Sequence, residues 1–271
     1  TVVTCTAASW ADGIWGGMEG QKLNFYNGAS LISSNADAVF TITAINLDNY
    51  TLTVSGTSTG ITALDSAILS DALTIYWDGQ YGNSMAGLKK ILTNTGTLFN
   101  ISAANYNYWK GVEQTVGGQL TMQSVLAGFA KANSRGLAKK SILYVNPKAY
   151  KDLNAREAAL RRYDSSYGSS KAKNGFGGIE YEVNGFSVTV KSHPIVKQGD
   201  AFAIDPSDVI RVGATQPTFK LPLSGMSVGD SAAFFTPLTE YAAVELRCYT
   251  NQALFVRKPA RAIYFSGIVN S

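Results

Sequence analysis

The stretch from residue 141 to residue 206 constrains the fold most, because its strand, helix and turn signals follow one another in a defined order. Residues 141–145 (Ser-Ile-Leu-Tyr-Val) form an apolar run, rich in β-branched and aromatic side chains, that is typical of a buried strand. Asn146 and Pro147 follow directly. Asparagine caps helices and proline is tolerated at the first helical position. The pattern therefore predicts a buried strand followed by a helix over residues 147–162.

The second half of this stretch predicts a long loop, a hairpin and one more strand. Residues 164–178 contain almost no apolar side chains, which is typical of a mobile loop. Two short segments, Glu-Tyr-Glu-Val at 180–183 and Phe-Ser-Val-Thr-Val at 186–190, flank an Asn-Gly dipeptide that supplies the positive φ angles of a two-residue hairpin turn. Residues 201–204 then form a short strand that ends at an Asp-Pro pair.

The clearest helix of the chain is predicted over residues 121–135. Five apolar residues recur at helical spacing as one continuous stripe: Met122, Val125, Leu126, Phe129 and Ala130. Thr121 is expected to cap this helix, and Gly136 to end it in a backbone conformation that other residues avoid.

In sequence order, the strand, Asn-Pro helix, glycine-rich loop, hairpin and strand ending in Asp-Pro resemble the axial domain of tailed-phage major capsid proteins, the shell subunits with the HK97-type fold. The resemblance covers roughly residues 85–268. It implies an α+β, HK97-like capsid fold with an axial domain and a peripheral-domain sheet, plus a small β-rich module at the N-terminal end. Because the chain starts on Thr1 rather than Met, we expect a processed or truncated product that lacks the family's N-terminal arm and spine helix.

Four domains are predicted along the chain. They are a β-rich inserted module (1–80), a linker with part of the peripheral domain (81–120), the axial domain (121–230) and peripheral-domain strands (231–271).

The first eighty residues show signals for strands and turns. Strands are predicted at 38–45, 50–54 and 72–77, the first two joined as a hairpin. Trp10, Trp15 and Trp77 are expected to form the core of this module, with an exposed carbohydrate-binding face as the functional alternative.

The C-terminal part is expected to return to strands. Residues 240–247 are predicted to pair with residues 252–257, and a further strand follows at 262–265.

Composition indicates a folded chain built for contacts rather than for charge-driven binding. The 271 residues are 45% hydrophobic, enough for a real core, and 15% charged, against about 25% in typical domains. Many Thr, Ser, Asn, Gly and Tyr residues take the place of charges, which suits a β-rich protein with extensive surfaces against other copies. No apolar run approaches the ~20 residues that span a bilayer, so no membrane partner is expected. Cys5 and Cys248 are expected to be buried free thiols, and a disulfide, which needs their Cα atoms within about 7 Å, is the alternative.

The search for catalytic chemistry finds none of the common patterns in the sequence. His193 is the one histidine, it precedes a proline, and no Cys/His cluster has zinc spacing. The glycine-rich runs at 13–20 and 175–178 lack the lysine of a phosphate-binding loop. Glu180 and Glu182 could serve a hydrolase as an acid–base pair, but two carboxylates in a hairpin are more often solvated. We therefore expect a protein that is not an enzyme, with no catalytic residue, metal or cofactor.

Two groups of residues are candidates for a subunit interface. The Asn-Pro helix and the loop after it have a basic bias: Arg156, Arg161, Arg162, Lys171 and Lys173. These side chains could meet acidic groups of a neighbouring subunit or packaged DNA, or simply form a solvated helix face. Tyr106, Tyr108 and Trp109 could form an intersubunit patch, because aromatic anchors concentrate in interface cores. Ordinary core packing is the alternative for these three.

The resemblance implies a major capsid protein of a tailed phage or prophage that assembles with its own copies into an icosahedral shell around double-stranded DNA. It also implies scaffolding and portal proteins as partners, assembly in the bacterial host cytoplasm, and a final location in the virion. The alternative is a β-rich surface or tail-associated module, such as an adhesin, suggested by the Thr/Ser/Tyr-rich strands of the first eighty residues.

Overall fold

The computed structural model describes residues 1–70, 72–137, 140–161, 179–183, 186–218, 236–237, 243–245 and 248–271. Over these ranges the architecture is mixed α/β, with several sheets and few helices. The loop predicted over residues 164–178 and the turn predicted at 184–185 lie outside the described residues.

The N-terminal module, residues 1–80, is built on a six-stranded antiparallel sheet. Its strands are β1 (Val2–Thr4), β2 (Lys22–Asn27), β3 (Ser30–Leu31), β4 (Phe40–Asn46), β5 (Thr51–Ser55) and β6 (Thr74–Trp77). Its helices are α1 (Asp12–Trp15) and α2 (Ser58–Ser70). The predicted β4–β5 hairpin is confirmed, with Ile42 opposite Val54. Phe25 and Phe40 meet edge to face in the core of the module, 5.2 Å between ring centroids.

Helix α2 corrects the prediction that the first eighty residues contain only strands and turns. Its sequence is rich in Ser, Thr and Gly, which are weak helix formers because their polar groups compete for the backbone. Here three hydroxyls donate to carbonyl oxygens four residues back: Thr62 to Ser58, Ser66 to Thr62 and Ser70 to Ser66. Leu64 is fully buried in the core of the module, so tertiary packing holds a helix that local propensity does not predict.

The rest of the described chain centres on a second six-stranded sheet, the central sheet. Its strands, in spatial order, are β11 (Ile179–Val183), β12 (Phe186–Ser192), β10 (Ser141–Val145), β13 (Ala201–Ile204), β18 (Ile263–Ile268) and β9 (Val112–Gly118). The accompanying helices are α3 (Leu88–Leu92), α4 (Met122–Ser134) and α5 (Pro147–Arg161). The remaining strands are β7 (Thr97–Leu98), β8 (Ile101–Ser102), β14 (Val209–Thr218), β15 (Thr236–Pro237), β16 (Val244–Glu245) and β17 (Tyr249–Val256).

The predicted order of strand, helix, hairpin and strand within residues 141–206 is confirmed and forms the middle of this sheet. Strand β10 pairs in parallel with β12 and antiparallel with β13. Helix α5 belongs to the long connection that a parallel neighbour requires. Asn146 caps it as predicted, since its Oδ1 accepts from the backbone N–H of Lys148 at 3.0 Å.

Both faces of the central sheet are covered, because side chains alternate between them along each strand. On one face, Leu143 and Val145 of β10 pack in a core that includes Phe129 of α4 and Leu153 of α5. On the other face, residues such as Tyr264 of β18 pack with α3 and with β17. The sheet is therefore a buried layer, with α4 and α5 on one side.

Helix α4 is confirmed, but its apolar stripe is narrower than predicted. Thr121 caps it through a reciprocal pair of bonds with Ser124. Leu126 is 40% exposed and Ala130 is also exposed. The buried positions are instead Val125, Gly128, Phe129 and Ala132. A Cβ at position 128 would come within 2.8 Å of the Phe265 ring, so the helix lies close to β18 on its glycine side.

Three strand predictions in the second half of the chain are corrected. Residues 112–118, for which no strand is predicted within the linker region at 81–120, form β9, although two glycines and a register shift interrupt it. Strand β17 pairs with β14 rather than with residues 240–247, and in that range only β16 is described, paired with β15. Strand β18 lies inside the central sheet between β13 and β9, not in a separate peripheral sheet. These pairings join distant residues, and local patterns carry no information on them. The division into four domains stays a prediction.

The N-terminal module joins the central sheet through close backbone contacts. Backbone N–H groups of Gln198 and Gly199 donate to the carbonyl oxygens of Trp10 and Ala8, each at 2.9 Å. A Cβ at Gly199 would lie 2.8 Å from the Cβ of Ala8, so only glycine permits this approach. Ile268, at the end of β18, donates its N–H to the Gly199 carbonyl at 3.1 Å. This end of the central sheet is called the junction end below.

A polar cluster stabilises the face of the sheet that carries α3. Tyr264 Oη donates to Asp200 Oδ1 at 2.6 Å, and Lys89 Nζ lies 3.1 Å from Asp200 Oδ2. Burial and the bond to Asp200 raise the pKa of Tyr264 from 10.0 to about 12. Burial opposes the charge of Lys89, but its contacts with Tyr264 and Asp200 raise its pKa on balance.

These shifts predict that stability falls in the alkaline range. The pKa of Tyr264 is higher in the folded state, so its contribution is complete below pH 10 and is lost as the pH rises towards about 12. The raised pKa of Lys89 acts in the same direction. In chemical denaturation, Tyr264→Phe should show a shallower loss of unfolding free energy over this window than the unchanged chain. Tyr108→Phe, which removes an exposed phenol, is the control. Equal slopes for all three proteins would contradict the assignment.

Candidate interaction site

The three aromatic residues predicted for an interface lie together in a 3₁₀ turn just before β9. Tyr106 and Tyr108 are 64% and 67% exposed. Trp109 is half-buried: its Nε1 donates to the Leu98 carbonyl at 3.0 Å, and its ring lies 5.9 Å from that of Phe255. Trp109 therefore anchors the turn, and the two tyrosines project from it into solvent.

This turn forms one wall of an open groove with a volume of about 1020 Å³. Four cationic residues line the groove with the aromatic residues: Arg135, Arg257, Lys258 and Arg261. Among the described residues, none of the four lies within ion-pair distance of a carboxylate. The basic groove, defined by these four cations and by Tyr106, Tyr108 and Trp109, therefore presents unneutralised positive charge beside aromatic surface.

Sequence reasoning missed all four cations, because two segments far apart in sequence, around residue 135 and at 257–261, bring them together. Arg135 follows the last turn of α4, and its guanidinium donates to the Gly111 carbonyl at 3.1 Å. Arg257 and Lys258 follow β17, and Arg261 ends the short 3₁₀ turn that leads into β18. The one local signal is the run Arg-Lys-Pro-Ala-Arg at 257–261, in which three of five residues are basic.

The basic groove lies at the end of the central sheet opposite the junction end. Strands β9 and β18 run in parallel, with Val112 opposite Ile263, so the turns that precede them meet at the same edge. Helix α4 leaves the junction end after β9 and returns to this edge at Arg135. The groove is thus built where two strands begin and one helix ends.

The predicted basic group on α5 is only partly described. Arg156 is exposed on the helix and Arg161 is its last residue, whereas Arg162, Lys171 and Lys173 lie outside the described residues. Helix α5 starts beside the junction end, directly after β10. The role of these residues in an interface stays a prediction.

The tryptophans of the N-terminal module form its core, as predicted. Trp10 is fully buried and stacks on Trp15 with 5.8 Å between centroids, and Trp15 lies 5.6 Å from Trp77. They do not form an exposed carbohydrate-binding face.

Other residues considered in the sequence lie apart from the groove. Cys5 and Cys248 are free as expected, and burial raises the pKa of the Cys5 thiol; Cys248 is exposed, so the expectation that both are buried is wrong. His193 is an exposed loop residue. Glu180 is exposed and pairs with Lys140 at 3.4 Å, and its hydrogen bonds with Ser187 and Lys140 lower its pKa. In the described ranges no group of three potential metal ligands comes together, and no helix has the length and apolarity needed to cross a bilayer.

Comparisons with known proteins find structural likeness but no sequence-level match. No family model matches the sequence, and no curated protein matches it. Among solved structures, the chain is similar to a chain of the cyanophage A-1(L) capsid asymmetric unit, with 13% sequence identity and a TM-score of 0.47. The match covers 67% of this chain and 60% of that capsid chain, so it spans less than two thirds of the capsid chain's length. A TM-score at this level does not establish a shared fold.

Proposed function

We propose that this chain is the major capsid subunit of a tailed phage or prophage with an HK97-type fold, and that it works by self-association rather than catalysis. The observation that carries the proposal is the arrangement of residues 141–206. Strand β10, the Asn-Pro helix α5, the β11–β12 hairpin and strand β13 follow one another in the predicted order; the strands join one sheet and the helix packs against it. A lobe of central sheet packed against helices is what the resemblance to the axial domain implies.

The surface of the lobe supports a role in contacts. Two exposed tyrosines and four cations without ion pairs in the described residues lie side by side at one end of the lobe. Exposed aromatic and arginine side chains are the residue types enriched in protein interfaces. An icosahedral shell requires each copy to make several such contacts, each of the order of 2,000 Å² when obligate. Double-stranded DNA inside the shell, scaffolding and portal proteins, host-cytoplasmic assembly and a final place in the virion belong to the same proposal.

Electron microscopy of the purified full chain tests this function. Negative staining and sedimentation velocity should reveal capsomers, shells or other large regular assemblies whose formation depends on protein concentration. The alternative, a surface or tail-associated adhesin, predicts a particle of one or a few copies that retains a ligand such as a glycan. A chain that stays monomeric across the accessible concentration range would overturn the capsid proposal.

A further inference from the structure

Charge is divided unevenly between the two parts of the chain. Residues 1–80 contain seven acidic side chains and one lysine, which gives a net charge of −6. Since the whole chain carries +4, residues 81–271 carry +10. The net charge of +4 is therefore the sum of an acidic N-terminal module and a basic remainder of the chain. Such asymmetry is a signal of interaction with an oppositely charged surface.

Three acidic residues form an exposed edge of the N-terminal module. Glu19 precedes β2, Asp78 follows β6, and Asp48 lies in the turn between β4 and β5. Strands β4 and β6 both run antiparallel to β2, so these three positions lie at the same end of the sheet. None of the three carboxylates is in an ion pair among the described residues. These three exposed residues, Glu19, Asp48 and Asp78, form the acidic edge; the one lysine of the module, Lys22, lies beside them, where its backbone carbonyl accepts from the Asp78 N–H at 3.0 Å.

The acidic edge of one chain does not neutralise the basic groove of the same chain. The module joins the central sheet at the junction end, near Ile268, and the groove lies at the opposite end, near Arg261. Strand β18 separates the two, and its six residues span about 20 Å at 3.3 Å per residue. At physiological ionic strength, exposed charges separated by more than about 8 Å are largely screened from each other. Each copy therefore carries two complementary surfaces that remain unsatisfied within the chain.

We propose that the basic groove of one copy binds the acidic edge of the N-terminal module of a neighbouring copy. This contact rests on the proposed self-association and specifies which two surfaces meet in it. It joins two different surfaces, so it is heterologous: repeated, it closes into rings or extends into open chains. Tyr106 and Tyr108 supply apolar area beside the cations, while the charges orient the encounter and exclude like-charged partners.

A neighbouring copy is favoured over a nucleic acid as the occupant. Phosphates would also attract the four cations, but the chain itself carries a complementary acidic surface, present in equal number with the groove. Self-association gives a partner to both the basic groove and the acidic edge. A nucleic acid would bind the basic groove but would leave the acidic edge without a partner.

A charge-exchange experiment on the full chain tests this contact. The groove variant is Arg257→Glu with Lys258→Glu, the edge variant is Asp48→Lys with Asp78→Lys, and the matched control is Lys90→Glu with Lys191→Glu. The control changes the net charge as the groove variant does, at two exposed cations outside the groove lining. Sedimentation velocity over a salt series measures association, and circular dichroism verifies folding.

Each variant alone should associate at least about tenfold more weakly than the control variant, because like charges then face each other. Mixing the groove variant with the edge variant should restore association, because each now offers the charge that the other lacks. The restored association should weaken as salt is added.

The contact would be overturned if the groove variant associated as strongly as the control, or if the mixture of the two variants stayed dissociated. It would also be overturned if the unchanged chain bound a single-stranded oligonucleotide through the groove while charge reversal in the groove left self-association unchanged. If the groove variant formed shells as readily as the unchanged chain, the proposed contact would be wrong and the proposed capsid function would be unaffected. If mixing the two variants restored association but gave open chains and never shells, the proposed contact would be supported and the capsid function would be overturned.

Discussion

Replacing Phe129 with alanine is expected to lower the free energy of unfolding by about 3–5 kcal/mol, as is typical for a fully buried phenylalanine. Phe129 is 0% exposed and packs from α4 onto the core face of the central sheet. The truncation removes apolar burial and leaves a cavity that a sheet covered on both faces cannot readily close. Such a loss is a large share of the roughly 5–15 kcal/mol by which domains are stable. Urea denaturation followed by circular dichroism measures it.

The control for this prediction is Leu126→Ala on the same helix. Leu126 belongs to the predicted apolar stripe, but it is 40% exposed, so its truncation should cost clearly less than that of Phe129. Equal losses at the two positions would show that Leu126 is buried as deeply as Phe129, which would contradict the observed packing of α4.

Replacing Trp10 with alanine is expected to cost a similar amount, about 3–5 kcal/mol, but in the N-terminal module. The indole is fully buried between Trp15 and Tyr50, and its Nε1 donates to Asp12 Oδ1 at 2.7 Å. The backbone carbonyl of Trp10 also accepts the hydrogen bond from the Gln198 N–H that joins the module to the central sheet. Hydrogen exchange should therefore quicken first in strands β2 to β6, while the amides of α4 and β10 stay protected.

Tyr108→Ala is the matched control, because it removes an aromatic side chain that is 67% exposed. It should change stability by no more than about 0.5 kcal/mol. If Trp10→Ala instead quickened exchange equally in both parts of the chain, the two cores would unfold as one unit and Trp10 would not belong to a separate core.

Much of the fold was predictable where local signals agree with one another. The apolar run at 141–145, the cap at Asn146 and the cap at Thr121 each act on immediate neighbours, so strand β10 and helices α4 and α5 followed from them. Helix α2 was missed for the opposite reason: its Ser- and Thr-rich sequence favours other conformations until burial of Leu64 outweighs the local preference.

The candidate site was only half predictable. Tyr106, Tyr108 and Trp109 are consecutive or nearly so, and their composition alone marked them as candidates for a contact surface. Arg135 and Arg261 are separated by more than a hundred residues, and they meet because β9 and β18 are parallel neighbours. The spacing of these residues along the sequence does not predict that they are close in space.

By itself the sequence determined where α4, β10 and α5 begin, the turn chemistry around them, and the unequal sharing of charge between the two parts of the chain. Each of these depends on neighbouring residues or on simple counting. Only the tertiary structure decided that β18 enters the central sheet, that β17 pairs with β14, and that four cations share a groove at the end away from the acidic module. Strand partners are chosen by burial across the whole chain, and the free energy of that burial is a property of the assembled fold rather than of any segment.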